Sequence, residues 1–250
     1  MKFCKEFIEL MNDPFWEGKY IGEGNPNASI LIVGQESAID QYPDTNDGNS
    51  PWLLQLYNNN FSLWENNIDC LKQRNQISIE NWPSQTSLRL EIFNPLSPYY
   101  GQKFSLKHNH EGTSKTWYNY QKIINAAPRE KYKVKPAEKY SLLTIFDNCF
   151  LTELNDFCIP NHKKETYEKY SSKIGENVHD VIESHIGARY DLICNHDHGF
   201  FKKFDVIILA CGEGYLKKLD ISKMFGDKTK IRINQASRLS DQEIGKLWEF

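Results

Sequence analysis

The 250-residue sequence has no long hydrophobic run: its longest uninterrupted apolar stretch, Val206 to Cys211, falls far short of the roughly 18 residues that a membrane span needs. The opening residues, among them Lys2, Lys5, Glu6 and Glu9, lack the apolar core of a secretion signal, so a soluble, cytoplasmic protein is expected. Six scattered cysteines (Cys4, Cys70, Cys149, Cys158, Cys194, Cys211) form no Cys-x-x-Cys pair. That pattern argues against a disulfide framework or a zinc or iron-sulfur site and for reduced thiols. There is no Gly-x-Ser-x-Gly elbow, and the histidines have no ordered nucleophile partner, which leaves an α/β-hydrolase reading built on Ser37 or a cysteine without support. Gly212-Glu213-Gly214 lacks the third glycine of a dinucleotide fingerprint. His108-Asn109-His110 and His196-Asp197-His198 are isolated His-x-His pairs. No cofactor and no metal are expected.

Net charge is also small, −3, but its distribution is uneven. Residues 1–60 carry three lysines against nine acids, whereas residues 202–238, starting at Lys202 and Lys203, carry nine bases against four acids. Such a basic segment is either a solvated lysine surface or a face that tracks phosphates.

What organises the chain is Ser29-Ile30-Leu31-Ile32-Val33-Gly34-Gln35-Glu36, an apolar run that stops at glycine and turns polar. Four consecutive apolar residues suit a strand covered on both faces, as in a parallel sheet, and such sheets gather ligands at their carboxyl ends. Further strands are predicted at Leu142 to Phe146, Phe204 to Ala210 and Thr229 to Ile233, each ending in a polar or glycine-rich turn. Helices are predicted at Met1 to Met11, after Ser50-Pro51, from Lys115 to Ala126, and from about Glu165 to His185 with a break at Gly175. Ser240 and Glu243 form a capping box before a last helix. Residues 128–139 read as a basic linker. The pattern predicts one α/β domain over 1–250, a three-layer α/β/α fold around a central four-stranded parallel sheet, with an insertion at about 58–112.

Three strand-end motifs, in order, resemble the uracil-DNA glycosylase superfamily. Val33-Gly34-Gln35-Glu36-Ser37-Ala38 is similar to the family's first motif, a hydrophobic strand followed by Gly-Gln-Asp-Pro-Tyr or a variant. Asn148-Cys149-Phe150-Leu151-Thr152 is similar to a middle motif of Asn followed by x-x-Leu-Thr, and Gln235-Ala236-Ser237-Arg238-Leu239-Ser240 to a closing His-Pro-Ser-Pro-Leu-Ser.

The resemblance implies a monofunctional DNA N-glycosylase, acting as a monomer without a cofactor on double-stranded DNA whose target base is flipped out. Cleaving the bond builds oxocarbenium-like charge on the sugar and negative charge on the departing base. Glu36 would stabilise the sugar cation and position or deprotonate water, with Asp40 as its substitute. Gln235, standing where the family has His, would donate a hydrogen bond to the leaving base. Asn148 matches the position that reads the flipped base, and Asn155 is its rival through a Thr-x-x-Asn reading of Thr152 to Asn155. Gln35 and Ala38 would border the base, and Trp52 or Tyr42 would stack on it. Arg238-Leu239 would be the wedge entering the duplex, with Ser237, Ser240, Lys202 and Lys203 also on the DNA. Ala38 replaces the family's bulky Tyr, so a C5 substituent is admitted. The expected substrate is therefore a hypermodified pyrimidine such as glucosylated hydroxymethylcytosine in phage DNA. The alternatives are uracil repair and an inactive glycosylase-like DNA-binding module.

Overall fold

All five residues of Ile30–Gly34 are buried, which is the consequence of an apolar strand with neighbours above and below it. The computed structural model describes residues 3–16, 19, 21–35, 115–135, 145–155, 164–233 and 236–249. Their strands are Glu23–Gly24 (β1), Ile30–Gly34 (β2), Cys149–Glu153 (β3), Val206–Ala210 (β4) and Thr229–Arg232 (β5), in the order β1-β3-β2-β4-β5. Strands β2 to β5 form a four-stranded parallel sheet, and β1 adds a two-residue antiparallel edge to β3. The helices are Lys5–Asn12 (α1), Lys115–Ala126 (α2), Arg129–Tyr132 (α3), Ile145–Asn148 (α4), Lys164–Ile174 (α5), Val178–His196 (α6), Glu213–Leu216 (α7), Ile221–Phe225 (α8) and Asp241–Lys246 (α9). Pro14–Trp16 and Ala236–Arg238 are single 3-10 turns. Among the described residues no helix is long and apolar enough to cross a membrane.

The period-2 alternation of the strands divides their side chains between two cores. Leu31, Val33, Phe150, Ile207 and Leu209 pack with Phe7 and Leu10 of α1, Trp16, Ile193 of α6 and the Phe200 to Phe204 loop. Ile30, Ile32, Leu151, Ile208 and Ile231 pack on the other side with Tyr120, Ile123 and Ile124 of α2, Ile244 of α9 and Trp248. The sheet is thus the middle of three layers. Phe150 is the hub of the first core, its ring 5.0 Å from that of Phe200 and 5.9 Å from that of Phe7, both edge-on.

Two expectations need correction. The second strand is expected over 142–146, but Ile145–Asn148 is helical and the strand runs from Cys149 to Glu153; residues 142–144 lie outside the described residues. The Cys149 thiol donates to the Ile145 carbonyl at 2.8 Å, closing α4 directly onto the strand. The stretch after Pro128 is no mere linker either, since Arg129–Tyr132 is helical and Tyr132 and Val134 are buried in the second core. Elsewhere the expected helix at Lys115–Ala126 is present, and Gly175, at φ +72°, separates α5 from α6. The expected insertion at 58–112 and the helix after Ser50-Pro51 lie outside the described residues.

The Ser240 hydroxyl accepts from the Glu243 amide while the Glu243 carboxylate accepts from the Ser240 amide, so the predicted capping box starts α9. Ser240→Ala is expected to destabilise the fold by about 1 kcal/mol, read from denaturant unfolding with an unchanged slope. At the other edge, Asp13 joins the amino-terminal segment to the end of α6. Its carboxylate accepts the Phe15 amide at 2.8 Å and lies 2.6 Å from His198 Nε2. The Phe15 N–H first, and His198 second, hold the Asp13 carboxyl below the usual carboxylate range. A folded-state pKa lowered in this way contributes stability above about pH 4 that is lost as pH falls through the folded value. Asp13→Asn is therefore expected to flatten the acid limb of the thermal-stability profile between about pH 5 and pH 2.

Candidate functional site

In the parallel part of the sheet the order β3-β2-β4-β5 reverses direction at β2, so successive connections leave to opposite sides between β2 and β4. In open α/β sheets ligands bind beyond the carboxyl ends of the strands at such a point. Register places Gly34, Glu153 and Ala210 side by side at that end, with Arg232 beside Leu209.

The residues just past this line are tied together. The Asn155 backbone N–H donates to the Gln35 backbone carbonyl at 2.8 Å, and the Leu154 N–H to the Gly34 carbonyl at 2.9 Å, so the β2–β3 pairing continues past the strands. The Gln35 side-chain oxygen accepts from the Gly212 amide at 3.3 Å, which spans the switch point from β2 to β4. The Cys211 thiol donates to the Val33 carbonyl at 3.1 Å. Asn155 itself is buried, 1% exposed. Gln35 and Asn155, two of the expected base-binding residues, are therefore brought together.

Beneath them lies Arg189 of α6, 2% exposed. Its guanidinium donates to the Glu153 carbonyl at 3.1 Å, the Ile21 carbonyl at 3.2 Å and the Thr152 hydroxyl at 2.8 Å, and it lies over the Trp16 ring. A buried cation is tolerated only when its donors are satisfied, and these bonds fix the carboxyl end of β3 that carries Asn155. Sequence reasoning missed both Arg189 and Glu153. Arg189 belongs to no motif, and Glu153 fills an unspecified position of the Thr152 to Asn155 pattern; its pairing with Gly34 shows only in the sheet register.

Beyond β5 the chain returns over the second core. The Asn119 side chain donates to the Ala236 carbonyl at 2.6 Å and to the Leu239 carbonyl at 3.3 Å, which anchors the Ala236–Arg238 turn on α2. Ser237 sits in this turn, Arg238 is exposed at its end, and Ser240 is exposed as the helix cap. Leu239 is only half-exposed, leaning on the second core, which leaves Arg238 as the projecting member of the expected wedge.

Three expected site residues lie elsewhere. Asn148 precedes β3 rather than ending a strand, about 20 Å along the chain from Asn155. Its amide is spent there on Lys135, accepting from the backbone N–H at 2.7 Å and donating to the carbonyl at 2.6 Å. Lys202 and Lys203 precede β4 and so also stand at the amino end of the sheet. Lys203 Nζ lies 4.4 Å from the Phe204 ring centre and 3.4 Å from the Ala28 carbonyl, and its burial pushes the pKa down. Lys202 reaches the Asp197 carboxylate at 3.5 Å. The basic segment does not form one face: Lys217 pairs with Glu213, Lys218 with Glu183, and Lys230 and Arg232 flank the edge strand β5, where charge discourages edge-to-edge pairing. The His196-Asp197-His198 segment packs on the amino-terminal segment, with Phe15 stacked on His196 at 3.8 Å. Among the described residues no group of three or more His, Cys, Asp or Glu side chains is arranged to hold a metal ion. Glu36, Ala38, Asp40, Tyr42, Trp52 and Gln235 lie outside the described residues.

No family model, curated protein or solved structure matches this chain.

Proposed function

We propose that this chain is a monofunctional DNA N-glycosylase that removes a C5-modified pyrimidine, such as glucosylated hydroxymethylcytosine, and leaves an abasic site. The observation that carries the reading is the backbone hydrogen bond that joins Gln35 and Asn155 at the carboxyl ends of β2 and β3, beside the switch point. Glu36, the proposed acid, follows Gln35 in sequence, and Gln235, the proposed donor to the leaving base, precedes Ala236. Asn155, in place of Asn148, is the amide that reads the flipped base. A carboxylate and an amide donor at one strand-end site would suit a bond that breaks into a sugar cation and a base anion.

In this mechanism the duplex is opened at Arg238, the nucleotide swings out, and its base enters between the β3 and β5 ends. Parallel strands about 4.8 Å apart put those two ends about 14 Å from each other. Glu36 faces the developing sugar charge and directs water, and Gln235 donates to the base oxygen as charge accumulates there. The lack of bulk at Ala38 leaves room for a C5 adduct. A substrate of this kind places the enzyme in the cytoplasm.

The test is mass-spectrometric detection of free base after mixing the protein with duplexes carrying uracil, hydroxymethylcytosine or its glucosylated form. Release is expected from the modified-cytosine duplexes in preference to uracil. Tight binding with no abasic product on any duplex overturns catalysis and leaves a DNA-binding module.

A further inference from the structure

Glu153 and Gly34 are register partners at the last position of β3 and β2. The Glu153 side chain crosses onto its neighbour: a methyl group built on Gly34 would lie 1.9 Å from Oε2, 2.7 Å from Cδ and 3.0 Å from Oε1. The carboxylate therefore occupies the space that any other residue at position 34 would fill, and glycine is what admits it. Strand alternation puts both positions on the face that carries Leu151 and Ile32. Ile233 and Ala236, which lead from β5 into the Ala236–Arg238 turn, pack on that same face. Glu153 thus stands across β2 and β4 from the closing turn, two residues from Asn155, half-buried and with its Oε2 out of solvent.

We infer that Glu153 is a specificity residue, its carboxylate accepting a hydrogen bond from the exocyclic amine of a cytosine-type base. The inference rests on the glycosylase reading for the base being in this crevice, but its chemistry is separate. An ionised carboxylate only accepts hydrogen bonds. The cytosine edge offers an amine donor at position 4, whereas uracil and thymine offer a carbonyl acceptor there, so the carboxylate matches the first and repels the second. Asn155, with both a donor and an acceptor, suits the rest of either edge and does not discriminate by itself. Sites built around such polar pairs reject the unmatched partner far more strongly than an apolar pocket rejects a methyl group.

The test uses the full chain and a matched pair of duplexes, 5-hydroxymethylcytosine against 5-hydroxymethyluracil, each on a non-hydrolysable 2′-fluoroarabino sugar. Binding is followed by fluorescence anisotropy, and release is measured alongside on the ordinary sugars. The wild-type protein is expected to favour the cytosine duplex at least about tenfold. Glu153→Gln, whose amide donates to a carbonyl, should erase or reverse that ratio. Gly34→Ala displaces the carboxylate without removing it and should lower the ratio too, which decides the matter if the glutamine variant fails to fold. Equal wild-type binding, or a ratio untouched by the variants, overturns the inference. If both bases are released at equal rates, the glycosylase stands and Glu153 falls. If the ratio and its reversal are seen but no base is released, Glu153 stands and catalysis falls. Binding to neither duplex overturns both.

Discussion

Glu36→Gln is expected to lower the single-turnover rate of base release by a factor of about 10² to 10⁴ while leaving DNA affinity within about twofold of wild type. The bond breaks with positive charge building on the sugar, and a fixed carboxylate in a site of low dielectric stabilises that charge far more than water does. Glutamine keeps the size and loses the charge, so the loss falls on the transition state and spares the bound ground state. The residue before it is held in place: the Gln35 backbone carbonyl accepts from the Asn155 backbone N–H, and its side-chain oxygen accepts from the Gly212 N–H. Asp40→Asn serves as the comparison. If Glu36→Gln releases base within a few-fold of wild type and Asp40→Asn does not, the acid is Asp40. If both variants retain full rate, the proposed chemistry fails.

The sheet was largely legible in the sequence because two of its strands are apolar runs that stop at glycine or at a glycine-containing turn, and the short edge strand runs into a polar turn. Ile30–Gly34, Val206–Ala210 and Thr229–Arg232 each lie within a predicted run or one residue from its end. The fourth was misplaced because two short apolar runs, Leu142 to Phe146 and Cys149 to Leu151, flank Asp147-Asn148, and periodicity alone does not say which of two such runs is the strand. What divides it is tertiary. Asn148 closes on the Lys135 backbone, and Cys149 enters the ladder beside Ile30. The two-residue β1 carries no periodic signal at all and exists through its pairing with Phe150 and Leu151.

For the candidate site, the strand-end glycines and polar residues put Gln35 at the carboxyl end of the sheet, where the structure has it, but the misplaced strand put Asn148 there too, and it precedes β3 instead. Asn155, the rival reading, is the one that reaches Gln35. Lys202 and Lys203 were drawn in by local charge density, a property of sequence that carries no information about which end of the sheet a loop joins. Glu153 and Arg189 were missed for the opposite reason. Each takes its meaning from a partner distant in sequence, Gly34 for the one and Ile21 and Thr152 for the other.

Gly22→Ala is expected to destabilise the protein by about 4 kcal/mol, a large share of the roughly 5–15 kcal/mol that holds a folded domain together. Gly22 is buried at φ +151°, a conformation that costs an alanine about 1–3 kcal/mol. The added methyl would also lie 2.3 Å from the Leu151 carbonyl oxygen and 2.5 Å from the Phe150 ring. Neither neighbour yields easily. The carbonyl belongs to β3, and the ring is the hub of the first core, so relief requires moving β1 off the edge or forcing the aromatic cluster apart, at about 1–3 kcal/mol more. Gly199→Ala is the control, because Gly199 also has positive φ, +79°, but nothing lies within 4 Å of the new methyl. That variant should lose only the backbone cost, about 1 kcal/mol. Thermal unfolding should therefore show a drop of roughly 10 °C for Gly22→Ala and of a few degrees for Gly199→Ala. Equal drops would mean that the φ value alone matters and that β1 and Phe150 are not packed against one another as described. The consequence would reach the crevice as well, because the Ile21 carbonyl next to Gly22 is one of the acceptors that hold Arg189 under the carboxyl end of β3.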